Sequence, residues 1–276
     1  MLGKFSSYRP KVSVAMASYN SEKYIAEAVE SILNQTLRNF ELIIVDDCSS
    51  DNTWKIINQF SKRDRRIRIY KNSNNLGGCK TLNKAMGYAK GKYIAVMDND
   101  DWSYPYRLLK QSSFLDKHPE VGIVGGTMEI TDRNLIVKGQ RKYDTSDGEI
   151  RNNIFRHSPF SHPLIMLRKT VVDIVGYGKC EFAPADDYEL YFRIGTISKF
   201  ANIKEVLIKY RVLNNSITHN QTKLMIKKTL LVRNLYKNRL GYKIKVHDLI
   251  LCYLMVIATF LPTRLILFLF NKVRNS

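Results

Sequence analysis

The stretch KYIAVMDNDDW, residues 92–102, poses the question on which the fold turns. KYIAVM is apolar enough to be a buried strand. Three carboxylates, Asp98, Asp100 and Asp101, follow it at once, with Asn99 among them. A strand ending this way leads either into a polar turn or into a cation site. On extended backbone residues i and i+2 face the same way, so Asp98 and Asp100 can share one ion while Asn99 points away. Oxygen-only ligands suit Mg²⁺ or Mn²⁺ rather than zinc, and such an ion commonly completes its shell with substrate phosphates. The cation reading therefore implies a phosphorylated substrate.

The segments upstream give this strand its context. KVSVAMASYN, FELIIVDD and RIRIYKN read as three further strands. The helical segments SEKYIAEAVESILNQT, DNTWKIINQFSK and NNLGGCKTLNKAMGYAKG alternate with them, the last beginning as a loop. Tyr24, Ile25, Ala28, Val29, Ile32 and Leu33 share one face of the first helix, which Asn20 or Ser21 can cap; Asp51 can cap the second, and Gly91 can close the third. YPYRLLKQSSFLDKHPE and VGIVGG add a helix and a strand. Alternation from residue 11 to 126 predicts an α/β fold, a mostly parallel central sheet flanked by helices. Ligands of such sheets bind beyond the carboxyl ends of the strands. SYN (18–20), DDCSSD (46–51) and DNDD (98–101) should all lie on that edge. After residue 130, GTMEITDRNLIVKGQRKY reads as antiparallel strands, a helix begins near Asp186 or Asp187, and ANIKEVLIKYRV returns to the sheet.

Each acidic turn has its own chemistry. Asp46 and Asp47 cannot sit favourably on a phosphate, but they can accept hydrogen bonds from a nucleobase or ribose. Tyr19 is either a stacking platform for a base or a packing tyrosine. Asp186 and Asp187 either compensate a helix dipole or supply a general base across the pocket from the cation. Neither GxGxxG nor GxxxxGK[ST] occurs, which excludes the dinucleotide-binding and P-loop motifs.

The charge is uneven. The chain of 276 residues carries a formal +19, and residues 199–276 hold fifteen Lys and Arg against two acids, a net +13. The same tail contains LILCYLMVIATFLPTRLILFLF, 249–270, whose unbroken apolar part, 249–261, is 13 residues. A bilayer-spanning helix needs roughly 20. An interfacial or re-entrant helix beside an anionic membrane surface fits better, with a buried helix or a dimer interface as the alternative. No recognition motif accompanies the charge, so nucleic acid is not the expected partner. Cys48, Cys79, Cys180 and Cys252 are widely spaced and form no CxxC pair, which fits a reducing compartment. The N-terminus MLGKFSSYRPKVSV lacks a signal-peptide core.

Taken in order, VSVAMASYN, QTLRNFELIIVDDCSSDNT, NNLGGCKTLNKAMGYAKGKYIAVMDNDD, YPYRL, HPLIMLRKTVVDIVGYG, ADDYELYFR and YRVLNNSIT resemble the family 2 glycosyltransferases, from about Lys11 to Asn215. The resemblance implies the GT-A fold over residues 1–218, with a nucleotide-sugar half at about 11–126 and an acceptor half at about 127–218. Residues 219–276 would form a basic and apolar helical extension that associates with the membrane. Tyr19 matches the position that stacks on the donor's uracil, Asn20 stands beside it, and Asp47 matches the one that bonds the base. Asp98 and Asp100 match the DxD motif that holds Mn²⁺ or Mg²⁺, with Asp100 the firmer ligand; Asp98 also faces the donor. Asp187 matches the catalytic base, and Asp186 stands where the family usually has Glu. Asp46, Asp101, His162 and Arg211 are secondary candidates, Asp101 as a residue orienting the neighbouring loop or the donor sugar. The family often has YRxH; here the fourth residue is Leu213, and His219 lies six positions on.

The implied activity is inverting transfer of a hexose from UDP-glucose or UDP-galactose to a lipid-linked (polyprenyl diphosphate) sugar, forming a β-linkage in O-antigen, capsule or other surface-polysaccharide synthesis. The implied location is the cytoplasmic face of the plasma membrane, peripheral or monotopic. The alternatives are transfer to another surface glycan or lipid, a metal-dependent phosphodiesterase or nuclease, and a non-catalytic membrane scaffold.

Overall fold

The computed structural model describes residues 9–213, 221–262 and 266. His219, the boundary at residue 218 and part of the 249–270 run lie outside the described residues.

Four strands form the parallel half of the sheet. They are β1 (Val12–Ser18), β2 (Phe40–Asp46), β3 (Ile67–Lys71) and β4 (Tyr93–Val96), in spatial order β3-β2-β1-β4. Their registers align the carboxyl ends, with Ser18 opposite Asp46 and Asp46 opposite Lys71. Strand β4 extends the row, because the Met97 amide donates to the Ala15 carbonyl at 3.1 Å. Period-two alternation splits the side chains between two cores. Val12, Val14, Met16, Leu42 and Ile44 pack on one face, while Ala15, Ile43 and Val45 pack on the other. Both faces are thus apolar, as a sheet covered on both sides by crossover helices requires. The helices are α1 (Ile25–Leu33), α2 (Thr53–Arg63), α3 (Gly78–Gly87) and α4 (Arg107–Lys117).

The second half of the sheet mixes directions. Strands β5 (Trp102–Ser103), β6 (Val121–Thr131), β7 (Val137–Arg141), β8 (Met166–Arg168) and β9 (Lys199–Arg211) complete the order β3-β2-β1-β4-β8-β6-β9-β5, with β7 beside β6. Strand β8 runs antiparallel between β4 and β6. An antiparallel strand begins where its parallel neighbours end, so the turn before β8, His162–Leu164, is delivered to the carboxyl edge. The expected return of ANIKEVLIKYRV is β9, parallel to β6. Gly125 faces Asn202 across that pair, and a Cβ on it would fall 2.0 Å from the Asn202 amide oxygen.

Helices α5 (Asp147–Asn153), α6 (Lys169–Val175) and α7 (Asp186–Gly195) follow the second half. Helix α8 (Thr222–Tyr236) packs on α7, its Tyr236 ring stacked on Phe192 at 4.6 Å. Helix α9 (Val246–Ala258) tucks Met255 against Ile226 of α8.

Three local expectations need correction. Helix α1 begins only at Ile25, with Tyr24 at its N-cap and no side-chain cap. Ser21 instead accepts the Tyr24 and Ile25 amides with its carbonyl, and the Asn20 amide oxygen accepts the Ser50 amide at 2.9 Å. Helix α3 ends at Gly87, and Gly91 donates its amide to the Ser13 hydroxyl at 2.8 Å in a site too close for a Cβ. Cys79 and Cys180 form a disulfide across 101 residues, leaving Cys48 and Cys252 free. Sequence spacing carries no sign of that pair, because only the tertiary fold sets the start of α3 beside residues 180–182.

Candidate active site

The loop from β4 to β5 gathers Asp98, Asp100 and Asp101, with carboxylate oxygens within 4.8 Å of one another. Expected to stand apart from the DxD pair, Asp101 belongs to the same cluster. It is 1% exposed; one oxygen accepts the Arg211 amide at 2.8 Å and the other has no partner among the described residues. Strand β9 makes that contact because β5 pairs with it antiparallel and places Trp102 opposite Lys209.

Crowded acids resist ionisation together. Burial, and then the charges of Asp100 and Asp187, push Asp98 up to about 7, against the pull of Arg107. Burial raises Asp100, which the Arg211 charge opposes. Burial with Asp100 and Asp98 raises Asp101 well above the usual carboxylate range.

Two buried arginines flank the cluster. Arg107, fully buried, donates to the Val96 carbonyl at 2.7 Å and the Met97 sulfur at 3.2 Å, just below the loop. Arg211 is 2% exposed, lies over the Tyr24 ring at 4.3 Å and pairs with Glu27 at 2.6 Å. Its Nε and Nη1 have no hydrogen-bond partner among the described residues. The sequence singled out Arg211 but passed over Arg107, although YPYRL contains it.

The nucleotide-side candidates sit at the ends of β1 and β2. Tyr19 is 48% exposed at the edge. Asn20 adopts a left-handed φ of 45°, which turns the chain sharply there. Asp46 is fully buried and accepts the Ser49 hydroxyl at 2.5 Å and its amide at 3.1 Å, so it shapes its own turn. Asp47 accepts from Asn72 Nδ2 at 2.8 Å and from the Leu76 and Gly77 amides, both at 2.9 Å. Burial pushes its carboxyl up, but these bonds outweigh it and hold it below the usual range. Beside Asn20 a cleft of about 780 Å³ opens, lined also by Tyr24, Asp51, Arg133 and Leu213.

Across from the cluster, Asp186 and Asp187 begin α7. Asp187 accepts its neighbour Tyr188's amide at 2.7 Å and lies 4.0 Å from His162 Nδ1. Burial raises it to about 6, with hydrogen bonds from the backbone and Tyr191 opposing. Burial also raises Asp186, reinforced by the charge of Asp187. Asp187 lies near enough to Asp98 for its charge to help raise that carboxyl. Tyr191 was missed in the sequence, though its place four residues after Asp187 on one helix signals a shared face.

The comparisons with known proteins agree with this architecture. Residues 13–177 match the family model described as "Glycosyl transferase family 2". The chain is 35% identical over 210 residues to "Uncharacterized glycosyltransferase MJ1057" of Methanocaldococcus jannaschii, covering 75% of this chain and 72% of that one. It is 32% identical over 215 residues to "UDP-Glc:alpha-D-GlcNAc-diphosphoundecaprenol beta-1,3-glucosyltransferase WfgD" of Escherichia coli, covering 77% and 81%. S. aureus TarS 1–349, crystallised with UDP-GlcNAc, superposes with a TM-score of 0.68 at 21% identity, covering 86% of this chain and 69% of that 1–349 chain. A family match across more than half the chain, on a sheet whose acidic turns share one edge, makes this protein a family 2 glycosyltransferase of the GT-A fold.

Proposed function

We propose that the protein moves a hexose, from UDP-glucose or UDP-galactose, to a lipid-linked sugar carried on polyprenyl diphosphate, inverting the anomeric centre to give a β-linkage. One observation supports this reading: the Asp98, Asp100 and Asp101 oxygens cluster within 4.8 Å of one another, with Asp187 near enough for its charge to act on Asp98. The E. coli relative's printed name supports the donor and the acceptor class.

Tyr19 would stack on the uracil. Asp47, held ionised by Asn72 and the Leu76 and Gly77 amides of the segment after β3, would accept a hydrogen bond from the base. Asp98 and Asp100 would hold Mg²⁺ or Mn²⁺, and the cluster fits one. Its donors are all oxygen, its charges repel, and Asp101 adds a buried oxygen without a partner. A divalent ion bound there supplies charge stabilisation for the diphosphate leaving group. Asp187 takes the proton of the acceptor hydroxyl as that oxygen bonds the anomeric carbon. The bond to the UDP oxygen breaks on the opposite face, and its electron pair leaves with UDP. A base works only when ionised, so kcat is expected to rise with pH through about 6, the value to which burial lifts Asp187. A rate flat from pH 5 to 8 would contradict the assignment.

The tail supports a membrane-bound acceptor. Among the described residues no helix is long and apolar enough to cross a membrane. Helix α9 nevertheless exposes Leu249, Ile250, Tyr253, Leu254, Val256 and Ile257, with Phe260 following at 83% exposure. Lys237, Arg239, Lys243 and Lys245 are exposed on the connection from α8. Each such base contributes about 1 kcal/mol at an anionic surface. Because α8 packs into the main core, α9 is the part free to engage the cytoplasmic leaflet. Deleting residues 246–276 is expected to shift the protein from anionic vesicles to the supernatant in a flotation assay. Unchanged partitioning would assign α9 a structural or dimerising role.

A further inference from the structure

Helix α3 meets the segment that leads into α7, and two contacts bind them together. Cys79, the second residue of α3, is bonded to Cys180, which opens the turn Cys180–Phe182. Four residues on from Cys79, Asn83 stands on the same face of α3. Its Nδ2 donates to the Gly178 carbonyl at 2.7 Å, and its Oδ1 accepts the Gly178 amide at 3.1 Å. Gly178 leaves room for Asp186. A Cβ on it would fall 3.1 Å from Asp186 Oδ2, 3.4 Å from Asn83 Oδ1 and 3.7 Å from Cys79 Sγ. The disulfide, the amide clamp and the carboxylate before Asp187 therefore meet around one glycine.

The joined segments serve different parts of the site. Just before α3, the Leu76 and Gly77 amides donate to Asp47, and Thr81 of α3 accepts from Asn72. Past Cys180, Phe182 is buried in the main core and α7 opens with Asp186 and Asp187. Both cysteines are only partly buried, and their Cα atoms lie 5.6 Å apart, within the usual span of a disulfide. An exposed disulfide is more labile than a buried one. At the reducing cytoplasmic leaflet proposed above, disulfides are transient or redox-sensing rather than permanent staples. Asn83 makes the same connection without sulfur, so the segments remain joined, less tightly, when the bond opens.

We propose that Cys79 and Cys180 form a reversible thiol–disulfide switch that seats the start of α7 against α3, a role that rests on Asp187 being the base. The exchange partner is a low-molecular-weight disulfide, RSSR. One cysteine thiolate attacks it, forms a mixed disulfide and releases RS⁻. The other thiolate attacks the cysteine sulfur of that mixed disulfide and releases the second RS⁻. Two electrons pass from the cysteines to RSSR, and the two thiol protons end on the released thiols as 2 RSH. Reduction runs the same steps backward. In the open form residues 178–181 keep the Asn83 clamp, and Phe182 keeps the turn in the core. The open form is therefore slower, not unfolded.

The full chain is equilibrated in buffers of reduced and oxidised glutathione, alkylated, and mapped for the 79–180 link by peptide mass spectrometry. The link is expected to form and open across the series. Transfer is followed from UDP-glucose and UDP-galactose to a synthetic acetamido-sugar lipid diphosphate. The open form is expected to lose about threefold in kcat, and Asn83→Ala in its open form about 10²-fold, the cost of shifting a catalytic group by about 1 Å. The Kd of UDP stays within about threefold, a split that general loss of structure would not produce. Cys79→Ser sits at the open-form rate and ignores the buffer. Hydrogen exchange over residues 178–187, which needs no substrate, is expected to be faster in the open form. A link that never forms, or one that glutathione does not open, overturns the switch. Equal exchange in the two forms does the same, as does equal kcat in the two forms of both wild type and Asn83→Ala. A Cys79→Ser variant that still follows the buffer also overturns it, and places the effect at Cys48 or Cys252. If Asn83→Ala does not fold, the wild-type and Cys79→Ser titrations decide; if neither donor is used, the link and exchange measurements decide. Asp187→Asn, assayed alongside, separates the two failures. If it is inactive while wild type is indifferent to the link, only the switch falls. If it is fully active, the base assignment falls and takes the switch's role with it.

Discussion

Asp187→Asn is expected to lower the rate of sugar transfer by a factor of roughly 10³, the middle of the range for loss of a general base. The substitution is close to isosteric, and the amide oxygen can still accept the Tyr188 amide that Asp187 accepts at 2.7 Å. The amide cannot take a proton from the attacking hydroxyl. Binding of UDP should change by less than about threefold, because the proposed donor contacts lie on the other side of the pocket. The expected direction of any change is toward tighter binding of UDP with a divalent ion. Asp187 is one of the charges that hinder ionisation of Asp98, and the variant removes it. Transfer kinetics and UDP titration calorimetry on the same preparation read both halves. Equal losses in transfer and UDP affinity would mean that Asp187 organises the pocket rather than acting as the base.

Asp100→Ala is the second large effect. With the carboxylate gone, the cluster keeps two acids in place of three, and transfer is expected to fall by at least about 10², several kcal/mol of leaving-group stabilisation being at stake. Affinity for Mn²⁺ in the presence of UDP, followed by the EPR signal of the free ion, is expected to weaken in parallel. Stability should not suffer, since burial raises the Asp100 carboxyl and its charge raises those of Asp98 and Asp101. The thermal midpoint without metal should therefore match or exceed that of the wild type. Chelation should silence the wild type, and added Mn²⁺ or Mg²⁺ should restore it. Full transfer in the presence of a chelator would remove the cation from the account and leave the three aspartates unexplained.

The sequence was most legible where local pattern and global fold agree. Apolar runs such as FELIIVDD and KYIAVM became β2 and β4, and their terminal acids fell on one edge because parallel strands in register end together. The second half was less legible for a physical reason. Strand β8 has only three residues, and its place between β4 and β6 is fixed by pairing with segments about 40 to 70 residues away in the chain. That insertion brings His162 to the pocket. The Cys79–Cys180 pair and the Arg211–Asp101 contact arise the same way, from residues that meet only in the finished fold. Caps were misplaced around Asn20 and Ser21 because those polar groups serve the tight turn after β1 and its contact with residues 49–51. Asp101 was set apart from the cation pair by strand alternation, which no longer applies once the chain leaves β4 and turns.

The most direct measurement is UDP release by the full chain, supplied with a panel of UDP-sugars and Mn²⁺ or Mg²⁺, with and without a synthetic acetamido-sugar lipid diphosphate. Rapid release is expected from UDP-glucose or UDP-galactose only when the acceptor is present, with a β-linked hexose on the lipid product. Release that ignores the acceptor, transfer solely from a donor that is not a UDP-sugar, or an α-linked product would contradict the proposed transfer.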